Sequence, residues 1–319
     1  VLYGAIDFYR LAKKAGIKPI IGCEMYVAPG SRLNKNPSEK TPFHLTVLAK
    51  NFVGYQNLVK LVTLSHLEGF YYRPRIDREM MEKHSEGLIV LSGCPSGEIP
   101  TLIKQGNLDK AAEAALWYKN VFGDYFLEVM QHEGVEDLDL INNGLLELHN
   151  KFGLPLVATN DLHYVEQSHS NLQDIMICIH TNTNIQDNKR LKMEDNSYYV
   201  KSPSEMEELF IDFPGAISNT QVIAEMCDLE IDFSGFHLPE FIPPDNTDAF
   251  SFLKKLCVER LGNIIQNYGD KETERLEYEL SVIRETNYSD YFLVVWDIAE
   301  FVRANNIAFA VRGSAAASL

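Results

Sequence analysis

Residues 154–164 read LPLVATNDLHY, an apolar run that is broken off by Asn160, Asp161 and His163. Side chains alternate between the two faces of an extended chain, so Asp161 and His163 are expected on the same side and could converge on one point. A metal ion is one candidate for that point. Because Asn-Asp is also ordinary turn chemistry at the end of a strand, this short pattern leaves both interpretations open.

The run belongs to a repeated alternation of strands and helices in the first half of the chain. Apolar segments bounded by turn residues predict five strands, which read KPIIGCEMYVA, FHLTVLAK, GLIVLSGC, YFLEVMQ and LPLVATND. Helical spacing predicts helices in IDFYRLAKKAG, FVGYQNLVKLVTLSHLEG, LDKAAEAALWYKNVFG and EDLDLINNGLLELHNKFG. This cadence predicts a parallel sheet or a β/α barrel, in which functional side chains gather where the strands end.

Side chains that bind transition metals lie at or near the ends of these predicted strands. Glu24 lies within IIGCEMY, and His44 opens FHLTVLAK. Cys94 closes GLIVLSGC, and Asp161 and His163 follow the last strand. Carboxylate, imidazole and thiolate are the groups that divalent transition metals select. Taken singly, each residue has an ordinary alternative as a solvated carboxylate, a half-buried histidine or a small buried thiol. Together they predict a metal site on the face where the strands end.

The composition limits the class of protein. With 319 residues, 45% of them hydrophobic, the chain can bury a large core and is expected to hold two domains. Its formal charge of −16 disfavours a general surface for duplex DNA, because phosphate neutralisation needs clustered Lys and Arg. Five scattered cysteines without a C-x-x-C pair fit a reducing cytoplasm. There is neither an apolar run of about 18 residues nor a signal peptide, so we expect a cytoplasmic protein that does not span a membrane.

The second half of the chain reads as mainly helical. Helical segments follow Glu166, and the proline-rich segment FSGFHLPEFIPPDNTD marks the best domain boundary. At the end of the chain, IAFAVRGSAAASL predicts a short apolar strand that runs into Arg312, Gly313 and Ser314 and then into a helix. Free backbone N–H groups at such a helix start, with Arg312 as a charge clamp, favour phosphate binding. The alternative is a plain helix N-terminus capped by Ser314.

Several stretches, met in order, resemble the alpha subunits of bacterial DNA polymerase III, the replicative family C polymerases. They are GIKPIIGCEMYVAPGSR, LEGFYYRPRID, LVATNDLHY, RLEYELSVIRETNYSDYFLVVWDIAEFVRANNI and RGSAAASL. The resemblance covers essentially the whole chain. It implies a PHP (polymerase and histidinol phosphatase) domain over residues 1–235, built as a truncated, distorted (β/α)7 barrel. A linker over residues 236–246 and the start of a mainly helical polymerase palm region over residues 247–319 would follow.

The resemblance also implies the site residues. By position, the ligands of a zinc or manganese ion in the PHP domain would be Glu24, His44, Cys94, Asp161 and His163. The family's opening His-x-His strand and its Asp-His element would lie before Val1, so a complete cluster is not expected in this chain.

Nucleotide binding is implied for Arg312, Gly313 and Ser314. The family's Gly-Pro-Gly before this stretch is replaced by residues 309–311, which read FAV, and a later glycine is replaced by Ala317. These glycines would let the backbone approach a triphosphate, because glycine supplies both positive φ and clearance.

The resemblance implies that the intact protein is a DNA-directed DNA polymerase, which adds deoxynucleotides along a template with Mg²⁺. Its catalytic aspartates would lie beyond Leu319, so this chain alone is expected to be inactive in polymerisation. The PHP domain would carry a metal-dependent 3′–5′ exonuclease or phosphoesterase activity, or serve as a scaffold that docks a proofreading subunit. Expected partners are primer-template DNA, deoxynucleoside triphosphates and other replicase subunits, including the sliding clamp. A free-standing PHP phosphoesterase and a translesion paralogue are the alternatives.

Overall fold

The chain forms two compact units, Val1–Ile231 and Asp232–Leu319. The division lies close to the end of the first domain that the sequence predicts at residue 235. The computed structural model describes, apart from the side chain of Ser38, residues 2–193, 195–234, 238–310, 312–313 and 318.

The described strands of the first unit form one mixed sheet. They are β1 (Gly22–Val27), β2 (Phe43–Ala49), β3 (Phe70–Tyr71), β4 (Arg73–Ile76), β5 (Leu88–Leu91), β6 (Tyr125–Val129) and β7 (Leu156–Ala158). Their order across the sheet is β3-β4-β1-β2-β5-β6-β7. Five strands run in the same direction, whereas β2 and β3 run against their neighbours. The prediction of an α/β architecture is confirmed.

Two strands depart from the parallel direction, most importantly β2. This strand is antiparallel both to β1 and to β5. Residues 28–42, which connect β1 to β2, contain only a short 3₁₀ turn at Pro37–Glu39. A parallel neighbour needs a crossover connection, usually a helix, whereas a chain that turns back without one pairs antiparallel.

Nine described helices accompany the sheet in the first unit. They are α1 (Ala5–Lys14), α2 (Phe52–Leu67), α3 (Arg78–Lys83), α4 (Glu98–Lys104), α5 (Leu108–Phe122), α6 (Leu138–Phe152), α7 (Ser170–Thr181), α8 (Pro203–Leu209) and α9 (Ser218–Met226). Asn51 caps α2, Asp77 caps α3 and Ser202 caps α8, because each side chain accepts a hydrogen bond from a backbone N–H of the first turn. The sequence does not predict β3, β4, α3 or α4, since such short elements show too little periodicity.

The central strands are buried on both faces. Along β5, Leu88 and Val90 join the larger hydrophobic cluster, which includes residues of α2, α5 and α6. Ile89 and Leu91 point the other way and join a second cluster, which includes Ile223 of α9. Helices thus cover both faces of these strands, which explains why they read as continuous apolar runs and not as alternating ones.

The second unit is built on three described helices, α10 (Ala249–Ile264), α11 (Asp270–Glu285) and α12 (Ser289–Ala304). Its buried core consists of Phe252, Leu253, Leu261, Leu276, Leu280 and Leu293. The strand predicted after α12 is wrong over its described residues, because 307–310 are irregular and exposed. The N–H of Ile307 instead donates to the carbonyl of Val302 at 3.0 Å, which closes the end of α12. None of the described helices combines the length and apolarity needed to cross a bilayer.

Candidate metal centre

The reversed direction of β2 places His44 beside the C-terminal ends of the parallel strands. His44 is the second residue of β2, and its partner in the register is Tyr26, near the end of β1. Glu24 pairs with Thr46 two residues further along the same strands, so the side chains of Glu24 and His44 share one face. If β2 ran parallel to its neighbours, its first residues would lie at the opposite end of the strands. The antiparallel pairing therefore brings together groups that a parallel β2 would separate.

The side chains of Glu24 and Cys94 both contact the imidazole of His44. Its Nδ1 lies 2.7 Å from Glu24 Oε1 and 3.3 Å from Cys94 Sγ. The chain turns towards Cys94 at Gly93, whose φ is +84°. A Cβ at position 93 would come within 2.5 Å of the carbonyl oxygen of His44, so the close approach requires glycine. The N–H of His44 also donates to the carbonyl of Ser96 at 3.1 Å, which fixes this loop against the start of β2.

Cys94 and Glu24 stabilise the protonated imidazole of His44. The contact with Cys94, followed by that with Glu24, raises the pKa of His44 to about 10 in spite of the partial burial of the ring. The contact with His44 lowers the pKa of Glu24, and the charge of the nearby His163 contributes in the same direction. A carboxylate, an imidazole and a thiol therefore form one coupled group at the strand ends.

Asp161 and His163 follow the end of β7 in a turn. The φ of Asp161 is +41°, in the left-handed region, so the extended alternation predicted past Thr159 is wrong. The two side chains are nevertheless close, with His163 Nδ1 lying 3.9 Å from Asp161 Oδ1 and 2.6 Å from the carbonyl oxygen of the same residue. Burial raises the pKa of Asp161; Glu24 also raises it, whereas His163 and His44 lower it. Asp161 thus lies within the electrostatic field of the Glu24–His44 pair.

The chemical types of the predicted ligands fit a transition metal. They combine carboxylate, imidazole and thiol groups, and two of them, Glu24 and Cys94, contact Nδ1 of His44. Within the described part of the chain, no group of three or more His, Cys, Asp and Glu side chains is arranged so that it could hold a metal ion as it stands. The donor atoms of Glu24, His44 and Cys94 lie at hydrogen-bonding separations, and metal binding would require the protons shared among them to leave.

Glu128 in β6 is a buried carboxylate that the sequence does not single out. The residue is only 6% exposed. Oε2 accepts hydrogen bonds from the Gly93 N–H at 3.0 Å and from Thr46 Oγ1 at 3.2 Å, and Oε1 accepts one from Thr159 Oγ1 at 2.8 Å. Burial raises the pKa of Glu128 to about 7 against the effect of these donors. The sequence feature that could have identified Glu128 is the presence of a glutamate inside an otherwise apolar strand, YFLEV.

A second group missed by the sequence surrounds His132, which lines a cavity of about 670 Å³. His132 Nδ1 lies 2.5 Å from Ser197 Oγ, which in turn donates to Asp195 Oδ1 at 2.5 Å. The imidazole stacks on the ring of Tyr198 at 4.1 Å, and the same ring meets that of His163 edge-on at 5.8 Å. Among the described residues, Nε2 of His132 has no hydrogen-bond partner. Burial lowers the pKa of His132 to about 4, so the imidazole is neutral at pH 7.

The nucleotide-binding residues predicted in the second unit are only partly described. Arg312 and Gly313 are exposed, and the φ of Gly313 is +98°. Ser314 and Ala317 lie outside the described residues. Phe309, at a position where the family resemblance expects the Gly-Pro-Gly segment, is 48% exposed.

The buried His132 predicts a loss of stability in mild acid. Because its pKa falls from an ordinary 6.5 to about 4 on folding, the unfolded chain takes up a proton first as the pH drops below 6.5. Between pH 7 and pH 5, wild type should lose about 2 kcal/mol of unfolding free energy relative to His132→Asn, which does not titrate. Urea unfolding of both proteins at the two pH values measures this difference. Equal losses in the two proteins would contradict the neutral, buried imidazole.

Comparison with known proteins places these residues in a family context. Residues 1–132 match the PHP domain, and residues 251–319 match the bacterial DNA polymerase III alpha NTPase domain. Over its whole length, the chain is 47% identical to DNA polymerase III subunit alpha of Borreliella burgdorferi and 39% identical to that of Treponema pallidum, and it covers 28% of each. It is 36% identical to the Campylobacter jejuni subunit, of which it covers 29%.

The chain thus spans less than a third of the length of these curated relatives. Glu24, His44 and Cys94 lie within the stretch that matches the PHP domain, while Asp161 and His163 lie beyond it. Both domain matches and the full-length similarity agree on one assignment. Over its whole length, the chain is similar to bacterial DNA polymerase III alpha subunits.

Proposed function

We propose that the chain is part of a replicative DNA polymerase, whose intact form adds deoxynucleotides to a primer along a DNA template. The observation that carries this proposal is the similarity to DNA polymerase III alpha subunits over the whole chain. The match of residues 251–319 to the alpha NTPase domain supports the same role for the second unit. In this role the protein works in the cytoplasm with primer-template DNA, deoxynucleoside triphosphates, Mg²⁺ and other replicase subunits, such as a sliding clamp and a proofreading subunit.

We further propose a metal site in the first unit. Its ligands are Glu24, His44, Cys94, Asp161 and His163, and its metal is zinc or manganese. The meeting of carboxylate, imidazole and thiol at one edge of the sheet supports this assignment. The influence of Glu24 and His44 on Asp161 supports the inclusion of the last strand. When bound, a metal supplies Lewis-acid chemistry that suits hydrolysis of phosphodiesters, including 3′–5′ removal of nucleotides from DNA.

The protein's own residues prepare this site before a metal enters. Glu24 and Cys94 hold the ring of His44 by direct contacts, so its orientation is set in advance. The loop that carries Cys94 is fixed to β2 through the backbone of His44 and Ser96. Because cysteine binds a metal as the thiolate and histidine as the neutral imidazole, loading of the site releases protons to the solvent.

For the second unit, Arg312, Gly313 and Ser314 are the proposed nucleotide contacts. The exposed guanidinium of Arg312 is available to a phosphate, and the positive φ of Gly313 produces a turn beside it. Arginine suits this role because its planar fork of N–H groups can bind two phosphate oxygens at once.

Primer extension tests the polymerase proposal. The intact protein that contains this chain is expected to extend a labelled primer according to its template. Arg312→Ala should raise the KM for deoxynucleoside triphosphates about tenfold, because loss of a charged phosphate contact costs roughly 1.4 kcal/mol. Lys271→Ala, at an exposed position of α11, is the control and should leave KM unchanged. Absence of templated extension would contradict the polymerase role, whereas an unchanged KM in Arg312→Ala would contradict only the nucleotide contact.

Metal analysis tests the proposed site in the first unit. After incubation with zinc or manganese and removal of the excess, the wild-type chain should retain at least one equivalent of metal. The double variant Asp161→Asn, His163→Ala should lose at least tenfold in affinity, because two ligand groups are removed. The matched control is Asp212→Asn, His180→Ala, which alters an exposed aspartate and an exposed histidine outside the predicted ligands. Equal metal content in both double variants, or none in the wild type, would contradict the site.

A further inference from the structure

We infer that Glu128 is a positioning residue that holds together three of the four strand regions that carry the proposed metal ligands. The inference rests on the metal site proposed above and assigns a role to a side chain outside it. Glu128 lies in β6, between β5 and β7 in the sheet. From this position its carboxylate accepts hydrogen bonds from β2, from the loop after β5 and from the segment after β7.

The three groups that bind Glu128 each lie next to a different proposed ligand. Thr46 is two residues from His44 in β2, so the two side chains project from the same face of the strand. Gly93, whose N–H donates to Glu128, immediately precedes Cys94. Thr159 is two residues before Asp161. One carboxylate thus fixes the backbone or side chain beside three ligands that are far apart in the sequence.

Further contacts stiffen the same connection. The backbone N–H of Glu128 donates to Ser92 Oγ at 2.8 Å, so both the main chain and the side chain of Glu128 hold the end of β5. The N–H of Thr159 donates to the carbonyl of Val129 at 3.0 Å, which keeps the segment after β7 beside β6. Gly93 also lies against the carbonyl of His44, so the loop after β5 is in direct contact with the start of β2.

Glu128 itself is not a suitable ligand. Its carboxylate is buried, and Oε2 already accepts two hydrogen bonds while Oε1 accepts a third. A carboxylate used in this way has little capacity left for a metal ion, since its two oxygens offer about four acceptor positions. Its contribution is therefore to orient the groups that carry the ligands, as outer hydrogen-bond partners do in metal sites.

The test compares Glu128→Leu and Glu128→Gln with the wild-type 319-residue chain. Leucine is close in volume but removes all three acceptor bonds, so zinc affinity, measured by competition with a chromophoric chelator, should fall at least tenfold. Glutamine keeps one carbonyl for Thr46 and Gly93, and its amide can donate to the hydroxyl of Thr159. Its zinc affinity should stay within about threefold of wild type.

A metal-free measurement and a stability control accompany the titration. In Glu128→Leu without zinc, hydrogen exchange at the Gly93 N–H should become faster, because its acceptor is gone. Leu148→Ala, which opens the core at a residue only 1% exposed, lowers the melting temperature without touching the strand ends and should leave zinc affinity unchanged.

The outcomes separate this inference from the proposed function. Wild-type zinc binding that persists unchanged in a folded Glu128→Leu would overturn the positioning role and leave the metal site intact. An equal loss of affinity in Leu148→Ala would also overturn it, because the effect would then follow from general destabilisation. A wild-type chain that binds no zinc and no manganese would overturn the metal site and with it the role of Glu128.

Discussion

The direction of β2 is the constraint on which the rest of the candidate site depends. Because β2 returns antiparallel to β1, its first residues pair with the last residues of β1, and Thr46 pairs with Leu91 at the end of β5. That reversal brings the imidazole of His44 to 2.7 Å from Glu24 and to 3.3 Å from Cys94. A parallel β2 would carry His44 to the opposite edge of the sheet, where neither group could reach it.

The sheet tolerates the buried carboxylate of Glu128 because three hydrogen-bond donors surround it. An unpaired carboxylate in the interior would cost several kcal/mol, and removal of its partners would leave that cost uncompensated. Thr46, Gly93 and Thr159 supply the hydrogen bonds that Glu128 requires. These three residues are not proposed metal ligands, but their hydrogen bonds to Glu128 fix the position of residues that are. The stability of the sheet is therefore linked to the geometry of the proposed site.

The sequence predicts the elements better than it predicts their arrangement. The strands of the first unit are recognisable as apolar runs, and its helices because their hydrophobic periodicity extends over several turns. The candidate ligands stand out because they lie at the ends of those strands. The direction of β2 depends on whether a helix lies in residues 28–42, and that loop has no periodicity from which to decide. The left-handed turn at Asp161 is equally hidden, since aspartate is compatible with both extended and turned backbone. Glu128 differs from a solvated strand residue only by its burial, which depends on helices far away in the sequence.

The most direct measurement of the central claim is X-ray absorption spectroscopy of the zinc-loaded chain. If the strand ends bring Glu24, His44 and Cys94 to one ion, the spectrum should contain one sulfur at about 2.3 Å among nitrogen and oxygen neighbours at about 2.0–2.2 Å. The sulfur contribution should vanish in Cys94→Ser. A first shell of nitrogen and oxygen alone in the wild-type protein would contradict the account, because Cys94 would then lie outside the site to which β2 is proposed to bring it.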